Sequence, residues 1–375
     1  MSQRTQKKCW LTLQVASVCA VVLLQACSLA NQKPTSEPQL HERELHETVG
    51  LSAKSLTYVE SISTVGVGSN DLIKRMIAGD DLQTLQRPVA IDVRGDTMII
   101  ADSGYISQHR GMSVLPMNDS LADAGLRMED KGSSAIYRYN FKTKRIKQLW
   151  GAGEYVVGDV SDVYLASDFS FYVTDIDGRR ALHFSPNGSL LKIYKHPPNI
   201  FRPIAITVDE QRKQVLIADE TYSHIVSFDM DKAKPIYGMG GRGTGPGKFR
   251  IITDMIPIPD GYLVSDRIEL RVQVLDSEGN YVANFGQGIV TFPTALARDK
   301  YGRIYVSDKA DSTIKVFKAG KLVDQIGTNG YGAGEFRNIT DMKVKDDQLY
   351  VVDSLNGRIQ IFDFVPDNSV AQVRH

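Results

Sequence analysis

The segment GRIYVSDKADSTIKVF, residues 302–317, contains a β-branched strand, a polar turn that begins at Asp308, and a second strand of alternating apolar residues. Such residues favour strands, and an Asp favours the turn between them. The same pattern occurs five more times in the chain. The other copies are residues 98–103 with 135–139, 171–184, 215–228, 262–275 and 350–362. The chain is therefore built on a repeat.

The spacing of the repeat predicts its architecture. The Asp that ends the first strand of each copy lies at position 102, 175, 219, 266, 308 or 353, so the steps are 73, 44, 47, 42 and 45 residues. The first step is long because 34 residues separate Asp102 from Ile136, where about six is usual, which indicates an insert at about 104–133. Short strands with a period of roughly 40 to 47 residues are typical of propeller blades. The sequence thus predicts an all-β, six-bladed β-propeller with four-stranded blades.

Each repeat is interpreted as four strands, named a, b, c and d in chain order. The last copy ends at Phe364 without a strand d, whereas residues 56–66 resemble the strands d that end other copies. We expect this N-terminal strand to complete the last blade, because closing the ring removes an exposed sheet edge. The propeller domain is expected to span residues 55–365, followed by a tail at 366–375.

Alternating strand directions place the d–a links and the b–c turns on one face of the propeller. The insert at 104–133 is a b–c loop of the first blade, and the long link after residue 66 is a d–a connection beside it. Long loops in a compact domain are often functional. The two elaborations predict a docking ledge on this face, with a passive insertion as the alternative.

The repeats resemble the NHL repeat family over residues 55–364. The resemblance rests on segments such as FRPIAI at 201–206, VSD at 306–308 and IKVF at 314–317, followed by Gly-rich links. Membership implies a six-bladed β-propeller and does not imply one activity. Extracytoplasmic bacterial members are ligand-sensing or assembly domains, which makes a binding role the expectation for this chain.

The N-terminus is typical of an exported protein. Arg4, Lys7 and Lys8 precede an apolar run at residues 10–24 that is short for a membrane span. Ala26-Cys27 resembles the bacterial lipoprotein cleavage box, which implies a signal peptide at 1–27, lipid attachment at Cys27 and a tether at 28–54. A plain signal peptide cut elsewhere, or an uncleaved anchor, is the alternative. In a Gram-negative cell Ser28 implies the periplasmic side of the outer membrane, and in another cell the surface is expected.

Cysteine usage and charge exclude several kinds of site. Cys9, Cys19 and Cys27 all lie in the signal segment, so the expected domain has no thiol for a disulfide, a zinc site or a nucleophile. The formal net charge is 0, and removal of three cations with residues 1–26 leaves 0 minus 3, or −3. A slightly acidic exported body argues against nucleic-acid binding. We expect a monomeric domain.

One residue at the start of strand c is often basic, five positions after the strand b Asp. Arg180, His224, Arg271 and Arg358 occupy this position in four of the six copies. Basic side chains on the elaborated face predict a rim for a carboxylate, a sulfate or an acidic envelope glycan. The alternative is that each Arg bonds a neighbouring turn.

Strand a carries an acid in every second copy. Copies two, four and six contain Asp162, Asp254 and Asp341, whereas the corresponding segments of the other copies, 88–90, 203–205 and 293–295, contain no acid. If these carboxylates face the central channel, they predict a site for Ca²⁺ or another divalent cation. A purely structural role is the alternative. The strand b aspartates, by contrast, are expected to accept backbone N–H bonds in the b–c turn.

These observations favour a lipid-anchored binding or scaffolding propeller that is not an enzyme, with a protein or an envelope glycan as partner on the loop-rich face. The alternative is a metal-dependent lyase or hydrolase at the central channel that uses Asp162, Asp254 and Asp341.

Overall fold

The computed structural model describes residues 55–63, 85–103, 134–150 and 157–365. The expected signal peptide with Cys27, the tether at 28–54, the insert at about 104–133 and the tail at 366–375 lie outside the described residues. Within the described part no helix is long and apolar enough to cross a membrane.

The described strands form six four-stranded antiparallel sheets, so the predicted fold class is confirmed. Strand β1 (Leu56–Ile62) precedes blade 1 in the chain. Blade 1 comprises β2 (Pro88–Arg94), β3 (Thr97–Asp102), β4 (Ala135–Asn140) and β5 (Arg145–Trp150). Blade 2 comprises β6 (Val160–Leu165), β7 (Phe171–Asp175), β8 (Arg180–Phe184) and β9 (Leu190–Tyr194). Blade 3 comprises β10 (Pro203–Asp209), β11 (Gln214–Asp219), β12 (His224–Asp229) and β13 (Pro235–Gly240).

The second half of the ring repeats this arrangement. Blade 4 comprises β14 (Ile252–Ile258), β15 (Gly261–Asp266), β16 (Arg271–Asp276) and β17 (Tyr281–Phe285). Blade 5 comprises β18 (Pro293–Arg298), β19 (Arg303–Asp308), β20 (Thr313–Lys318) and β21 (Lys321–Ile326). A short parallel pair, β22 (Thr328–Asn329) and β23 (Glu335–Phe336), lies in the link to blade 6. Blade 6 comprises β24 (Ile339–Lys345), β25 (Gln348–Asp353) and β26 (Arg358–Phe364), with a 3₁₀ turn at Ser354–Asn356.

The N-terminal strand closes the ring, as the sequence predicts. Strand β1 pairs antiparallel with β26, with Leu56 opposite Phe364 and Ile62 opposite Ile359. Two bonds extend the closure, because Val365 N donates to Ser55 O at 2.9 Å and Ser55 N donates to Asp324 Oδ2 at 2.8 Å. The latter carboxylate belongs to blade 5, so the N-terminal segment joins two blades.

The apolar core consists of six clusters, one between each pair of neighbouring blades. The cluster between blades 6 and 1, for example, joins Tyr350 and Val352 to Ile91 and Met98. Because strands b and c are largely buried between neighbouring blades, the hydrophobic effect holds the blades together. The inner strands a pack around a central channel.

Candidate binding site at the channel mouth

The strand b aspartates shape the loop-rich face. Their carboxylates accept backbone N–H bonds from the d–a link that leads into the same blade, as in Gln86 N to Asp102 Oδ2 at 2.7 Å and Thr291 N to Asp308 Oδ2 at 2.7 Å. Asp219 additionally accepts from Tyr222 N in the b–c turn at 2.8 Å. These carboxylates are almost completely buried. The structural interpretation of this residue position is therefore supported.

The channel opens on this face into a pocket of about 630 Å³. Two positions that recur in most blades build its rim: a residue in the d–a link just before strand a, and the residue after the strand b Asp. The backbones of these positions are joined, as in Ser103 N to Arg87 O at 3.0 Å and Glu220 N to Arg202 O at 3.0 Å. The charged residues that line the pocket above the channel are Arg87, Asp159, Asp177, Arg202, Glu220, Arg267 and Lys309.

Below the rim, hydroxyl groups line the pocket wall. Ser161, Thr253 and Thr294 each donate to a backbone carbonyl oxygen of the next blade, at 2.8, 3.0 and 2.9 Å. Each of these oxygens also pairs with a strand b hydroxyl, that of Thr174, Ser265 or Ser307, so these hydroxyls are satisfied within the propeller. The equivalent Thr340 also lines the pocket, and its buried Oγ1 has no hydrogen-bond partner among the described residues.

Asp162, Asp254 and Asp341 form the floor of the pocket. Each carboxylate accepts one N–H from the residue that follows it and one from the inner strand of the next blade. The bonds from the next blade are Ile206 N to Asp162, Leu296 N to Asp254 and Ile91 N to Asp341, at 2.8, 2.7 and 2.8 Å. The structure thus brings the three acids of alternate blades together at the channel, where each one connects two blades.

Lys343 provides a positive charge beside the three aspartates. Lys343 Nζ lies 3.5 Å from Asp162 Oδ1 and 3.3 Å from Asp341 Oδ1. Asp92, on the inner strand of blade 1, also interacts with this ammonium. Burial acts to lower the pKa of Lys343, but the surrounding carboxylates overcome it, so the pKa lies well above its ordinary value. The sequence analysis missed Lys343, although its position two residues after Asp341 on the same strand face is a usable signal.

The same burial disfavours the charged form of the acids. It raises the pKa of Asp162 and Asp341 above the ordinary range against the opposing effect of Lys343, and it raises the pKa of Asp254 to about 6. Burial therefore reduces the negative charge that these acids carry around Lys343. In the described part of the chain, no group of three or more His, Cys, Asp or Glu residues is arranged to hold a metal ion. The Ca²⁺ site at these aspartates stays a prediction.

The predicted basic rim does not assemble at the pocket, since none of its four residues lines the mouth. Arg180 is 4% exposed and donates to Asp175 at 2.8 Å. Arg271 is 5% exposed and donates to three carbonyl oxygens of the Gly-rich link at 244–248. Arg358 binds Asp353 and three carbonyl oxygens of the equivalent link at 331–335. The arrangement favours the alternative that these arginines bond neighbouring turns, and ligand binding by them stays a prediction.

His224, the first residue of β12 in blade 3, lies away from the channel-mouth pocket. Its ring stacks on Tyr222 with centroids 5.9 Å apart, and its buried Nε2 has no partner among the described residues. With His196 it lines a separate cleft of about 480 Å³ beside β13. The sequence separation of these two histidines gave no reason to pair them.

Exposed apolar side chains are concentrated on the loop-rich face. Seven large apolar residues with 36 to 72% exposure lie on its links and turns, and we name them the crown: Phe201, Tyr222, Ile268, Leu270, Ile289, Tyr331 and Leu355. The opposite face has Phe169 alone among the described residues of this class. Seven others lie on the outer strands d, where they are spread around the circumference: Tyr58, Val59, Leu191, Ile236, Val282, Leu322 and Val323. The two faces therefore differ sharply.

Comparison with known proteins agrees with the fold. A family model described as DUF5128, a 6-bladed beta-propeller, matches residues 295–367, which lie in blades 5 and 6. No curated protein matches the chain. The coarser expectation of a six-bladed propeller is thus confirmed, while NHL membership stays a prediction.

Several solved structures are similar in fold. The virginiamycin B lyase of Staphylococcus aureus is 10% identical, with a TM-score of 0.51 over 76% of this chain and 97% of that chain. A Bacteroides thetaiotaomicron protein of unknown function is 10% identical, with a TM-score of 0.52 over 76% and 70% of the two chains. A streptogramin B lyase is 11% identical, with a TM-score of 0.50 over 76% and 85%. At these identities the likeness concerns the propeller fold alone.

Proposed function

We propose that this propeller is a binding module that docks a protein partner on its loop-rich face. The observation that carries the proposal is the unequal distribution of exposed apolar side chains between the two faces. Scattered apolar residues are normal on a protein surface, but a concentration on one face marks an interaction surface. Ser103, the described residue that directly precedes the expected insert at 104–133, lines the pocket on this face.

The chemistry of the crown fits a protein interface. Tyr and Arg are enriched among the residues that contribute most to protein binding. Here Arg179 lies over the Phe201 ring at 3.9 Å, and Arg337 lies over the Tyr331 ring at 5.0 Å. The apolar faces of these pairs offer contact area, and their guanidinium groups offer donors. A partner could bury both at once.

The hydrogen bonds of the predicted basic rim weaken the case for an acidic glycan as partner. That expectation depended on free guanidinium groups at Arg180, Arg271 and Arg358, whose donors bind carboxylates and backbone carbonyls within the propeller. A ligand would have to displace these hydrogen bonds, which costs free energy. We therefore favour a protein over a glycan.

Export and lipid attachment form part of the proposal. The signal segment and the Ala26-Cys27 pair support a lipoprotein held in the membrane through Cys27, exported to the outer membrane or the cell surface. Two or more acyl chains provide durable anchoring. The tether would then present the propeller to partners in the envelope.

The enzymatic alternative, a metal-dependent lyase or hydrolase at Asp162, Asp254 and Asp341, receives less support. Both oxygens of each carboxylate accept backbone N–H bonds, and Lys343 already supplies a positive charge. Two structural neighbours are lyases by name, yet their likeness to this chain concerns the fold. We therefore retain the binding function.

The proposal is tested by co-purification from detergent extracts of cells that express the full chain. We expect the double variant Ile268→Ser/Tyr331→Ser to lose a partner that the wild type retains. The matched control is Leu191→Ser/Val282→Ser, which removes outer-strand residues of 52% and 59% exposure. Equal melting temperatures establish that all three proteins are folded. An identical partner set for the crown variant and the control contradicts the proposal.

A further inference from the structure

We propose that the links and turns of blades 4 to 6 receive an acidic segment of the docked protein partner, and that this segment also carries apolar side chains. This inference rests on the proposed docking function and names the chemistry of the partner. It is carried by the distribution of charge, by cations stacked on aromatic rings and by the crown residues that accompany them. We name this surface the basic arc, and it comprises links 241–251, 286–292 and 327–338 with turns 267–270, 309–312 and 354–357.

Positive charge is concentrated in the basic arc. The arc contains six Lys and Arg residues and three Asp and Glu residues, which gives 6 minus 3, or +3. The described a–b and c–d turns of the opposite face contain seven cations and nine acids, which gives 7 minus 9, or −2. The chain after residue 26 has a net charge of −3. The basic arc therefore differs in sign from the rest of the domain, and complementary charge directs an acidic partner to it.

Aromatic rings hold several of these cations. Arg267 and Lys309 lie 5.1 and 5.7 Å from the ring centroid of Phe292, and all three residues line the channel-mouth pocket. In the link that leads into blade 6, Arg337 lies over the Tyr331 ring at 5.0 Å. A ring that covers one face of a guanidinium group leaves the N–H groups along its edge available to a carboxylate.

The side chains of Lys309 and Arg337 have available donors. Both residues are exposed, and neither side chain forms an ion pair or a hydrogen bond within the described part of the chain. They differ in this respect from Arg271 and Arg358, whose donors bind carbonyl oxygens of the links. Hydrogen bonds between a cation and a carboxylate are stronger than those between neutral groups. Lys309 and Arg337 are therefore the positions where acidic side chains of a partner would pair.

The acids of the basic arc offer little competition. Glu335 accepts from Gly332 N at 2.8 Å, and Asp311 pairs with the buried Lys315 at 2.7 Å. Both carboxylates thus have partners within the propeller. The exposed cations stay available to carboxylates from outside.

Apolar crown residues accompany these cations. Five of the seven crown residues belong to the basic arc: Ile268, Leu270, Ile289, Tyr331 and Leu355. Four of the five are aliphatic, with 36 to 51% exposure. Apolar side chains of a peptide can bury aliphatic surface, whereas a sulfated glycan offers few apolar groups. Cations beside aliphatic residues therefore favour an acidic peptide segment over a glycan.

The test is fluorescence anisotropy of the full chain in non-ionic detergent, with a labelled peptide of four Glu-Leu-Glu repeats as the probe. We expect saturable binding, and at least about tenfold weaker binding of the matched Gln-Leu-Gln peptide, a difference of about 1.4 kcal/mol. Raising the salt concentration from about 0.05 to about 0.5 M should weaken binding of the Glu peptide at least about fivefold, because salt screens exposed charges. Equal affinity for the two peptides, or the absence of saturable binding, overturns the proposal.

A pair of charge-matched variants locates the site. Lys309→Gln/Arg337→Gln should bind the Glu peptide at least about tenfold more weakly than the wild type. The control Lys142→Gln/Lys232→Gln removes the same charge from turns of the opposite face, where these side chains are 75% and 74% exposed, and should keep wild-type affinity. Equal melting temperatures establish that the three proteins are folded.

Two outcomes of this comparison contradict the inference. Equal weakening in the two variants would show a general attraction to net charge instead of a site in the basic arc. Tighter binding of a heparin hexasaccharide than of the Glu peptide would assign the arc to a sulfated glycan.

The result is separable from the docking function. If Lys309→Gln/Arg337→Gln retains a partner that depends on the crown, protein docking stands and the acidic segment is wrong. If the Glu peptide binds with the expected dependence on these two cations but no partner depends on the crown, protein docking is overturned and the site for acidic peptides stands.

Discussion

The inner strands have backbone N–H groups that need acceptors at the channel, and Asp162, Asp254 and Asp341 provide them. Strand a has one edge that faces the channel, where its backbone N–H groups have no neighbouring strand. Three carboxylates accept six of these donors, because each takes one from its own strand and one from the next blade. An unpaired buried N–H costs about 1 to 3 kcal/mol. Asp92 of blade 1 makes the same pair of bonds, to Val93 N and to Leu165 N of blade 2.

The raised pKa of Asp254 predicts a pH dependence of stability. Its value of about 6 in the folded protein exceeds the ordinary 3.8, so the folded state binds a proton that the unfolded state does not between these values. Its contribution to the free energy of unfolding should thus rise by about 1.4 kcal/mol as the pH falls from about 7.5 to about 5, and should level off below the unfolded pKa. Urea unfolding at the two pH values measures it.

Asp254→Asn should reduce this pH dependence, although it lowers stability at every pH because an amide has one acceptor where the carboxylate has two. The control is Asp260→Asn, the same change at an exposed turn of blade 4. A pH dependence in Asp254→Asn equal to that of the wild type would show that another group is responsible.

At the scale of elements, two Gly-rich links are held by a repeated pair of side chains. In blade 4, Arg271 donates to carbonyl oxygens of the link, while Gln273 donates to Lys248 O and accepts from Gly247 N. Blade 6 repeats this with Arg358 and Gln360. Side-chain hydrogen bonds thus hold links 241–251 and 327–338 in place on the loop-rich face.

Arg271→Met should loosen link 241–251 without unfolding the blade. Loss of charged hydrogen bonds should lower the local free energy of opening by about 2 kcal/mol. Hydrogen exchange with mass spectrometry reads this out as faster exchange in that link. The control is Arg250→Met, an exposed residue in the same link. Uniform acceleration over the whole propeller would instead indicate global destabilisation.

At the scale of the molecule, stability depends on ring closure. Strand β1 covers the edge of β26, and its Leu56 packs into the cluster between blades 5 and 6. Strand β1 supplies the fourth strand of blade 6, and in the closed ring every blade packs between two neighbours. The chain therefore behaves as one cooperative unit.

Deletion of residues 55–63 should lower the free energy of unfolding by about 4 kcal/mol, the sum expected for one buried Leu and a few strand hydrogen bonds. Calorimetry should show a lower and broader transition. The matched control lacks residues 28–50, which the sequence predicts to be a tether. Equal, sharp melting of the deletion variant and the control would mean that β1 does not close the ring.

The sequence by itself determined the number of blades, the strand order and the closing strand. These features depend on local alternation and on turn residues such as Asp308, and neighbours along the chain are sufficient to specify them. It also located the acids of alternate blades, because a period of two blades is visible in strand a.

Only the tertiary structure decided which partners these residues have. The sequence analysis interpreted Arg271 as an available cation and missed Lys343. The fold places carbonyl oxygens around Arg271 and carboxylates around Lys343. The pocket collects residues from positions 87 to 341, and the crown from 201 to 355, so no local pattern reveals either. The physical reason is that hydrogen bonding and desolvation depend on distances in space. A repeat period of roughly 45 residues gives positions along the chain and not those distances.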